Sequence, residues 1–213
     1  MGIEKNGSIM RAVVFKKYQT FPSLEEFDRP VPGPGEVLLK VADAGACHSD
    51  VAIYKDFIEG DPTGIKPEFT LGHENSGWIE EFGPGVAGLT IGDPYLVYGP
   101  IGCGKCKACA QGADTYCENV ATLPYLGLGL GRDGGMADYV LVPARNLVPL
   151  GDSDPVAAAP LSDAALTPFH AVKNSLPHLA GGGQFDLVIG LGGLGGLGQI
   201  AVQILSALPK TAP

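Results

Sequence analysis

The sequence predicts a β-rich, closed or strongly twisted barrel of short strands that gives way near Pro155 to the opening unit of an α/β sheet. Three observations carry this reading. The 213 residues include 32 glycines and 18 prolines, with glycine at about twice its ordinary frequency, which is the punctuation of many tight turns. Short β-rich runs recur between those turns up to Pro143. An Ala-rich run of helical period then follows, and after it a strand, a glycine turn and a helix.

In chain order, "MRAVVF" from Met10, "GEVLLKVADAG" from Gly35, "SGWIEEFG" from Ser76, "DPYLVYG" from Asp93 and "MADYVLVP" from Met136 read as strands. Pro32 and Pro34 end one element before Glu36 to Val41 begin the next. The stretch "DPVAAAPLSDAALTPFHAV" has apolar residues three and four apart, with Asp152 or Asp154 as its cap and Pro155 in its first turn. "QFDLVIGLGGLGGLGQIAVQILSAL" reads as the strand "DLVIG", a turn from Gly190 to Gly195, and a helix from Gly196.

The formal charge is −9, from 14 basic and 23 acidic residues. An acidic field repels phosphate backbones, so nucleic acid and anionic membranes are not expected partners. The opening "MGIEKNGSIMRAVVF" has no long apolar stretch, and Asn6 breaks the myristoylation pattern. Phe185 to Leu208 is largely apolar, with Gly192 and Gly196 spaced as in a helix-pairing motif. Asp186, Gln199 and Gln203 interrupt it, and a spanning helix needs roughly 20 apolar residues. The expectation is therefore a cytoplasmic protein.

Five cysteines divide into four and one. Cys103, Cys106, Cys109 and Cys117 are spaced C-x2-C-x2-C-x7-C in "GCGKCKACAQGADTYC". Four thiolates on small, turn-forming neighbours can converge at the roughly 2.3 Å that tetrahedral zinc requires. Disulfides are the competing reading, but cysteines three apart bridge poorly and nothing points to an oxidising compartment.

Cys47 stands apart in "AGACHSDVAIY", either as a buried small hydrophobe or as a ligand. His73 and Glu74 lie side by side in "TLGHENSG", costly to bury without a purpose. Asp163 sits in the apolar run "AAAPLSDAALTPF"; alone it reads as a cap or turn residue. Together, Cys47, His73 and Asp163 offer one sulfur, one nitrogen and one oxygen, leaving a fourth zinc position for water or substrate.

In this order, "GEVLLKVADAGACHSD", "LGHENSG", "GCGKCKACAQGADTYC", "DPVAAAPLSDAALTPFHAV" and "VIGLGGLG" resemble the motifs of the zinc-dependent medium-chain alcohol dehydrogenases. The likeness is greatest to bacterial secondary-alcohol dehydrogenases whose third catalytic zinc ligand is aspartate. It implies a GroES-like catalytic domain over residues 1–163, with a structural zinc lobe at about 102–118, and the beginning of a Rossmann nucleotide-binding domain over 164–213.

By that resemblance Cys47, His73 and Asp163 hold catalytic zinc, with Glu74 beside it as a neighbour or exchanging ligand, and Cys103, Cys106, Cys109 and Cys117 hold a second, structural zinc. Ser49 matches the hydroxyl that passes the alcohol proton to solvent, or else caps a helix beginning at Asp50. His48 matches a position that contacts the cofactor pyrophosphate in some members, or else is a solvated ring. Gly190, Gly192, Gly193, Leu194 and Gly195 would meet NAD or NADP. The implied reaction interconverts small alcohols with ketones or aldehydes by hydride transfer.

Two residues depart from the pattern, Gly196 in the turn and Pro94 at a strand start. Length departs more. Family members run on well past this length, and the acidic residue expected about 20 positions after the glycines falls past Pro213. The resemblance thus implies weak nicotinamide binding and little turnover for these 213 residues, and strand edges that favour self-association or a completing chain. A zinc-stabilised barrel serving as a binding or assembly module, or as one part of a split enzyme, is the alternative; hydrolysis by water at an open zinc position is a third.

Overall fold

The computed structural model describes residues 9–179, 193 and 195–208. The strand expected at "DLVIG" lies outside the described residues. By internal packing the chain divides into one unit ending at Ser162 and another beginning at Asp163.

The first unit begins with β1 (Ile9–Phe15), β2 (Ser23–Asp28), β3 (Glu36–Gly45), α1 (His48–Asp56), β4 (Phe69–Thr70), β5 (Glu74–Phe82) and β6 (Pro94–Val97). Then follow α2 (Lys107–Ala110), β7 (Gly127–Leu128), β8 (Gly131–Arg132), β9 (Tyr139–Pro143), β10 (Leu147–Pro149) and α3 (Pro155–Ala158). Five strands form one sheet in the order β10-β6-β5-β3-β9, and three form another in the order β2-β1-β4. An antiparallel bridge between Ala12 and Ala137 ties β1 to the segment entering β9. All five strands read from the sequence before Pro155 are present.

β3 is central, paired with β5 and β9. Its run Val37, Leu38, Leu39 is fully buried, as a strand covered on both faces requires. Val37 and Leu39 pack with Ile79, Val97, Leu128, Val140 and Val142 in the main core. Register shifts at Leu38/Leu39 and Val41/Asp43 mark bulges that bend the strand as it approaches Gly45. β2 was not legible in the sequence: "SLEEFD" carries three acidic residues, and its strand form comes from six-residue pairing with β1.

The Ala-rich run does not form one helix. Asp154 caps α3 by accepting from Val156 N–H at 3.0 Å, with Pro155 in the first turn. The chain then tightens into a 3-10 turn over Ala159–Ser162, because Pro160 has no N–H and its ring crowds the preceding turn. α3 is held to the sheet by the Ser76 hydroxyl, which donates to Pro155 O at 2.5 Å.

In the second unit, α4 (Leu166–Leu179) and α5 (Gly196–Ala207) pack on each other, with Ala201 buried. Pro168 is tolerated in the first turn of α4. Among the described residues, no helix is long and apolar enough to cross a membrane.

The excursion between β6 and β7 carries the cysteines, and a buried charge anchors it. Asp114 accepts from Gly102 N–H at 2.7 Å and from Arg145 Nη1 at 2.6 Å. Its side chain is 1% exposed, that of Arg145 37%. Asn146 donates to Tyr98 O and Pro100 O at 2.9 and 2.8 Å, fixing where the excursion leaves the sheet.

Two predictions follow from the packing. Gly129 has φ +65°, and a Cβ there would meet the Gly72 backbone at 2.5–2.8 Å, whereas Gly85, at φ +81°, has open space around it. Urea unfolding is expected to show a loss of about 1 kcal/mol for Gly85→Ala and about 3 kcal/mol or more for Gly129→Ala; equal costs would contradict the close crossing. Arg145→Ala leaves the Asp114 carboxylate without its cation and is expected to cost about 2 kcal/mol, below the value for a fully buried pair because Arg145 is partly solvated. A loss under about 0.5 kcal/mol, the scale of an ordinary surface change, would show that the anchor is unimportant.

Candidate active site

β3 delivers Gly45 to the end of the ladder, and two residues later Cys47 becomes the N-cap of α1. Asp50, at the third helical position, accepts from Cys47 N–H at 2.9 Å through Oδ2. The helix therefore begins at His48, and the reading of Ser49 as the cap of a helix starting at Asp50 is corrected: Ser49 lies inside the first turn. The cause is the Asp50 carboxylate reaching back to the cap residue, which closes the turn earlier.

His73 sits between β4 and β5, and Glu74 is the first residue of β5; they are 7% and 4% exposed. His73 Nδ1 lies 3.3 Å from Asp50 Oδ1, and Nε2 lies 3.1 Å from Ser49 Oγ. A carboxylate at Nδ1 favours the tautomer with its proton there, which leaves the Nε2 lone pair for a metal or a donor hydroxyl. Asp50, 4% exposed, is thus a site residue that the motif reading missed. Its spacing, Asp three residues after Cys47, is the sequence signal that could have found it.

Ligand atoms of Cys47, His73, Glu74 and Asp163 all lie within 4.8 Å of one another. Asp163 directly follows the 3-10 turn that Ser162 closes by donating to Ala159 O at 2.9 Å, and its own carbonyl accepts from Thr167 N–H at 3.3 Å. One thiolate, one imidazole and two carboxylates are a donor set suited to a borderline-soft divalent ion. The residues present fit zinc.

The four cysteines of the excursion also converge, with all four sulfurs within 4.8 Å of one another; an ideal tetrahedron of sulfurs at zinc has edges of about 3.8 Å. None of the five cysteines is bridged to another, so the disulfide reading does not hold. Backbone and side-chain N–H groups point at the sulfurs. Cys117 Sγ accepts from Cys103 N–H at 3.3 Å and Asn119 N–H at 3.4 Å, and Cys103 Sγ from Asn119 Nδ2 at 3.3 Å and Cys106 N–H at 3.4 Å. The Asn119 amide and the Lys105 and Cys106 N–H groups hold the Cys103 thiol down at about 6, in its metal-binding form. Burial pushes Cys109 up to about 12, so a cation must offset the desolvation of its thiolate.

His48 is exposed on α1. Gly193 and Gly195 are exposed, and an added Cβ at either would meet nothing within 4 Å. Gly195 caps α5, whose first bond runs from Gln199 N–H to Gly195 O at 3.0 Å. Gly190, Gly192 and Leu194 lie outside the described residues.

The alcohol dehydrogenase GroES-like domain family matches residues 33–152. The D-arabinose 1-dehydrogenase (NADP(+)) of Saccharolobus solfataricus is 36% identical over 202 residues, which cover 94% of this chain and 55% of that protein. An NAD-dependent alcohol dehydrogenase of Sulfolobus acidocaldarius is also 36% identical, over 93% of this chain and 56% of its own. Among solved structures, the cobalt- and zinc-bound thermostable alcohol dehydrogenase of Pyrobaculum aerophilum superposes with a TM-score of 0.75 at 32% identity, covering 93% of this chain and 57% of that one. The chain spans about half the length of the curated relatives it matches. With the GroES-like match over more than half of its residues, this chain belongs to the zinc-dependent medium-chain alcohol dehydrogenase family.

Proposed function

We propose that the chain carries the zinc site of an alcohol dehydrogenase that interconverts small alcohols with ketones or aldehydes by hydride transfer to NAD or NADP. The observation that carries the reading is the convergence of Cys47, His73, Glu74 and Asp163 within 4.8 Å, apart from an all-cysteine cluster. In this reading residues 1–163 form the catalytic domain, with Cys47, His73 and Asp163 as ligands of one zinc. Cys103, Cys106, Cys109 and Cys117 hold a second, with no position open to substrate. Residues 164–213 begin the nucleotide-binding domain, where Gly190 to Gly195 and the N-terminus of α5 approach the cofactor phosphates.

When bound, zinc supplies a Lewis acid that lowers the pKa of an alcohol, and nicotinamide supplies the hydride acceptor. The chain's own residues supply orientation and proton movement. The Asp50 carboxylate, with Oδ1 3.3 Å from His73 Nδ1, favours a proton on Nδ1 and so leaves the Nε2 lone pair available. Ser49 Oγ, 3.1 Å from Nε2, stands at the edge of the donor cluster, where its hydroxyl can take the alcohol proton. His48, exposed on the same turn, can pass it to solvent or meet a pyrophosphate oxygen.

Metal analysis tests the assignment first. Two zinc ions per chain are expected, falling to one in Cys47→Ala while the cysteine cluster keeps its ion; one zinc unaffected by Cys47→Ala would refute the catalytic site. Hydride transfer is read by mass spectrometry as deuterium moved from a C-deuterated secondary alcohol to NAD(P). Turnover by these 213 residues is expected to be low, so label is collected over a long incubation with NAD(P) in large excess. Ser49→Ala is expected to slow its transfer about a hundredfold with zinc content unchanged, and label transfer that does not depend on the Cys47-site zinc under those conditions would refute the dehydrogenase reading.

A further inference from the structure

We propose that Gly45 is a positioning residue for Glu74: its missing side chain forms the slot in which the Glu74 carboxylate rests beside Cys47, His73 and Asp163. This rests on the zinc assignment proposed above. Gly45 and Glu74 face each other directly in the antiparallel β3–β5 ladder. A Cβ on Gly45 would lie 2.2 Å from Glu74 Oε2, 3.2 Å from its Cδ and 3.0 Å from its Cβ. The Glu74 side chain is therefore folded across a bare Cα, in space that any other residue at 45 would occupy.

The backbone does not explain this glycine. Gly45 lies in an extended strand with φ outside the left-handed region, a conformation open to every residue type. Gly77, on the same ladder, is a contrast, for a Cβ there would strike the Lys40 carbonyl oxygen at 2.3 Å and the strand would have to move. At position 45 the nearest obstacle is the far end of a flexible side chain. Alanine at 45 is thus accommodated most cheaply by displacing the Glu74 carboxylate, with the two strands giving by only a few tenths of an ångström where the Cβ atoms meet at 3.0 Å.

That displacement has a chemical consequence. A thiolate and one carboxylate balance the charge of a divalent ion, and a second carboxylate as a permanent ligand would make the site anionic and a weaker Lewis acid. A carboxylate held close but outside can stabilise the ion and substitute briefly for a departing ligand. The Gly45 slot keeps Glu74 within that reach. Losing it should loosen the metal, on the scale seen when a supporting group of a ligand set is removed.

The test is zinc release to a chromophoric chelator from the doubly loaded protein, together with the visible bands of cobalt(II) substituted at the Cys47 site. Gly45→Ala is expected to release the Cys47-site zinc on the order of tenfold faster and to shift the cobalt bands, while the cysteine-cluster metal and the circular dichroism stay as in the wild type. Glu74→Ala should do the same, and the double variant should be no faster than Glu74→Ala, since both act through one carboxylate. Wild-type release and unshifted bands in Gly45→Ala, or effects that multiply in the double variant, overturn the proposal. If Gly45→Ala does not fold, Gly45→Ala/Glu74→Gly must fold, because the carboxylate and the Glu74 Cβ that lies 3.0 Å from the added Cβ are then both gone; its failure also overturns the proposal. A protein with metal only at the cysteine cluster removes the zinc assignment and this role with it, whereas two zinc ions indifferent to Gly45→Ala remove this role alone.

Discussion

The site hangs on one close crossing of backbones at Gly72. Its carbonyl accepts from Gly135 N–H and from the Asn75 side chain, both at 3.0 Å. On either side, Leu71 N–H donates to Val13 O at 3.0 Å and Leu71 O accepts from Met136 N–H at 2.9 Å. The chain before His73 is thereby stitched to β1 on one edge and to the 134–136 segment on the other. A Cβ on Gly72, Gly129 or Gly134 would come within 2.1–2.8 Å of the opposing backbone, so the crossing exists only because all three are glycine. Its result is that His73 and Glu74 leave a stretch of backbone held on both edges, which sets where they enter the site.

The two donor clusters are built on opposite physical terms. In the cysteine excursion, backbone N–H groups offset the negative charge of the sulfurs, and the Asp114–Arg145 pair fixes the loop that presents them. Four like donors converge there, enough to close a tetrahedral coordination sphere. Around Cys47 the donor groups differ and come from separate parts of the chain: the cap of α1, the lead into β5, and the turn after α3. Charge control there falls to neighbouring carboxylates. Asp50 acts on the His73 ring, and Glu74 lies in the space that Gly45 leaves open.

What the sequence revealed depended on whether a feature was local. The five strands with apolar patterning, the Asp154 cap and the C-x2-C-x2-C-x7-C cluster are written in adjacent residues, and all were readable. The His73–Glu74 pair and Asp163 stand out in the sequence because such groups are costly to bury alone, Cys47 stands out only in their company, and the fold brings their donor atoms together. Features that need a partner far along the chain were not readable. β2 is a strand through its pairing with β1, Asp114 is tolerable through Arg145, and Gly45 has meaning only opposite Glu74. Pro160 was in plain view, yet the alanines around it suggested one continuous helix. The alternative of Ser49 as a cap falls because Asp50 reaches back to Cys47, a contact across one turn that the motif does not state.

The central claim is a mixed-ligand metal site at Cys47, His73 and Asp163, separate from an all-sulfur one. Zinc K-edge X-ray absorption on the zinc-loaded chain tests it most directly, because it reads the ligand types themselves. Five sulfurs shared between two ions predict a coordination shell averaging about two and a half sulfurs per zinc, completed by nitrogen and oxygen at about 2.0–2.2 Å. A shell of four sulfurs with no nitrogen or oxygen contribution would contradict it.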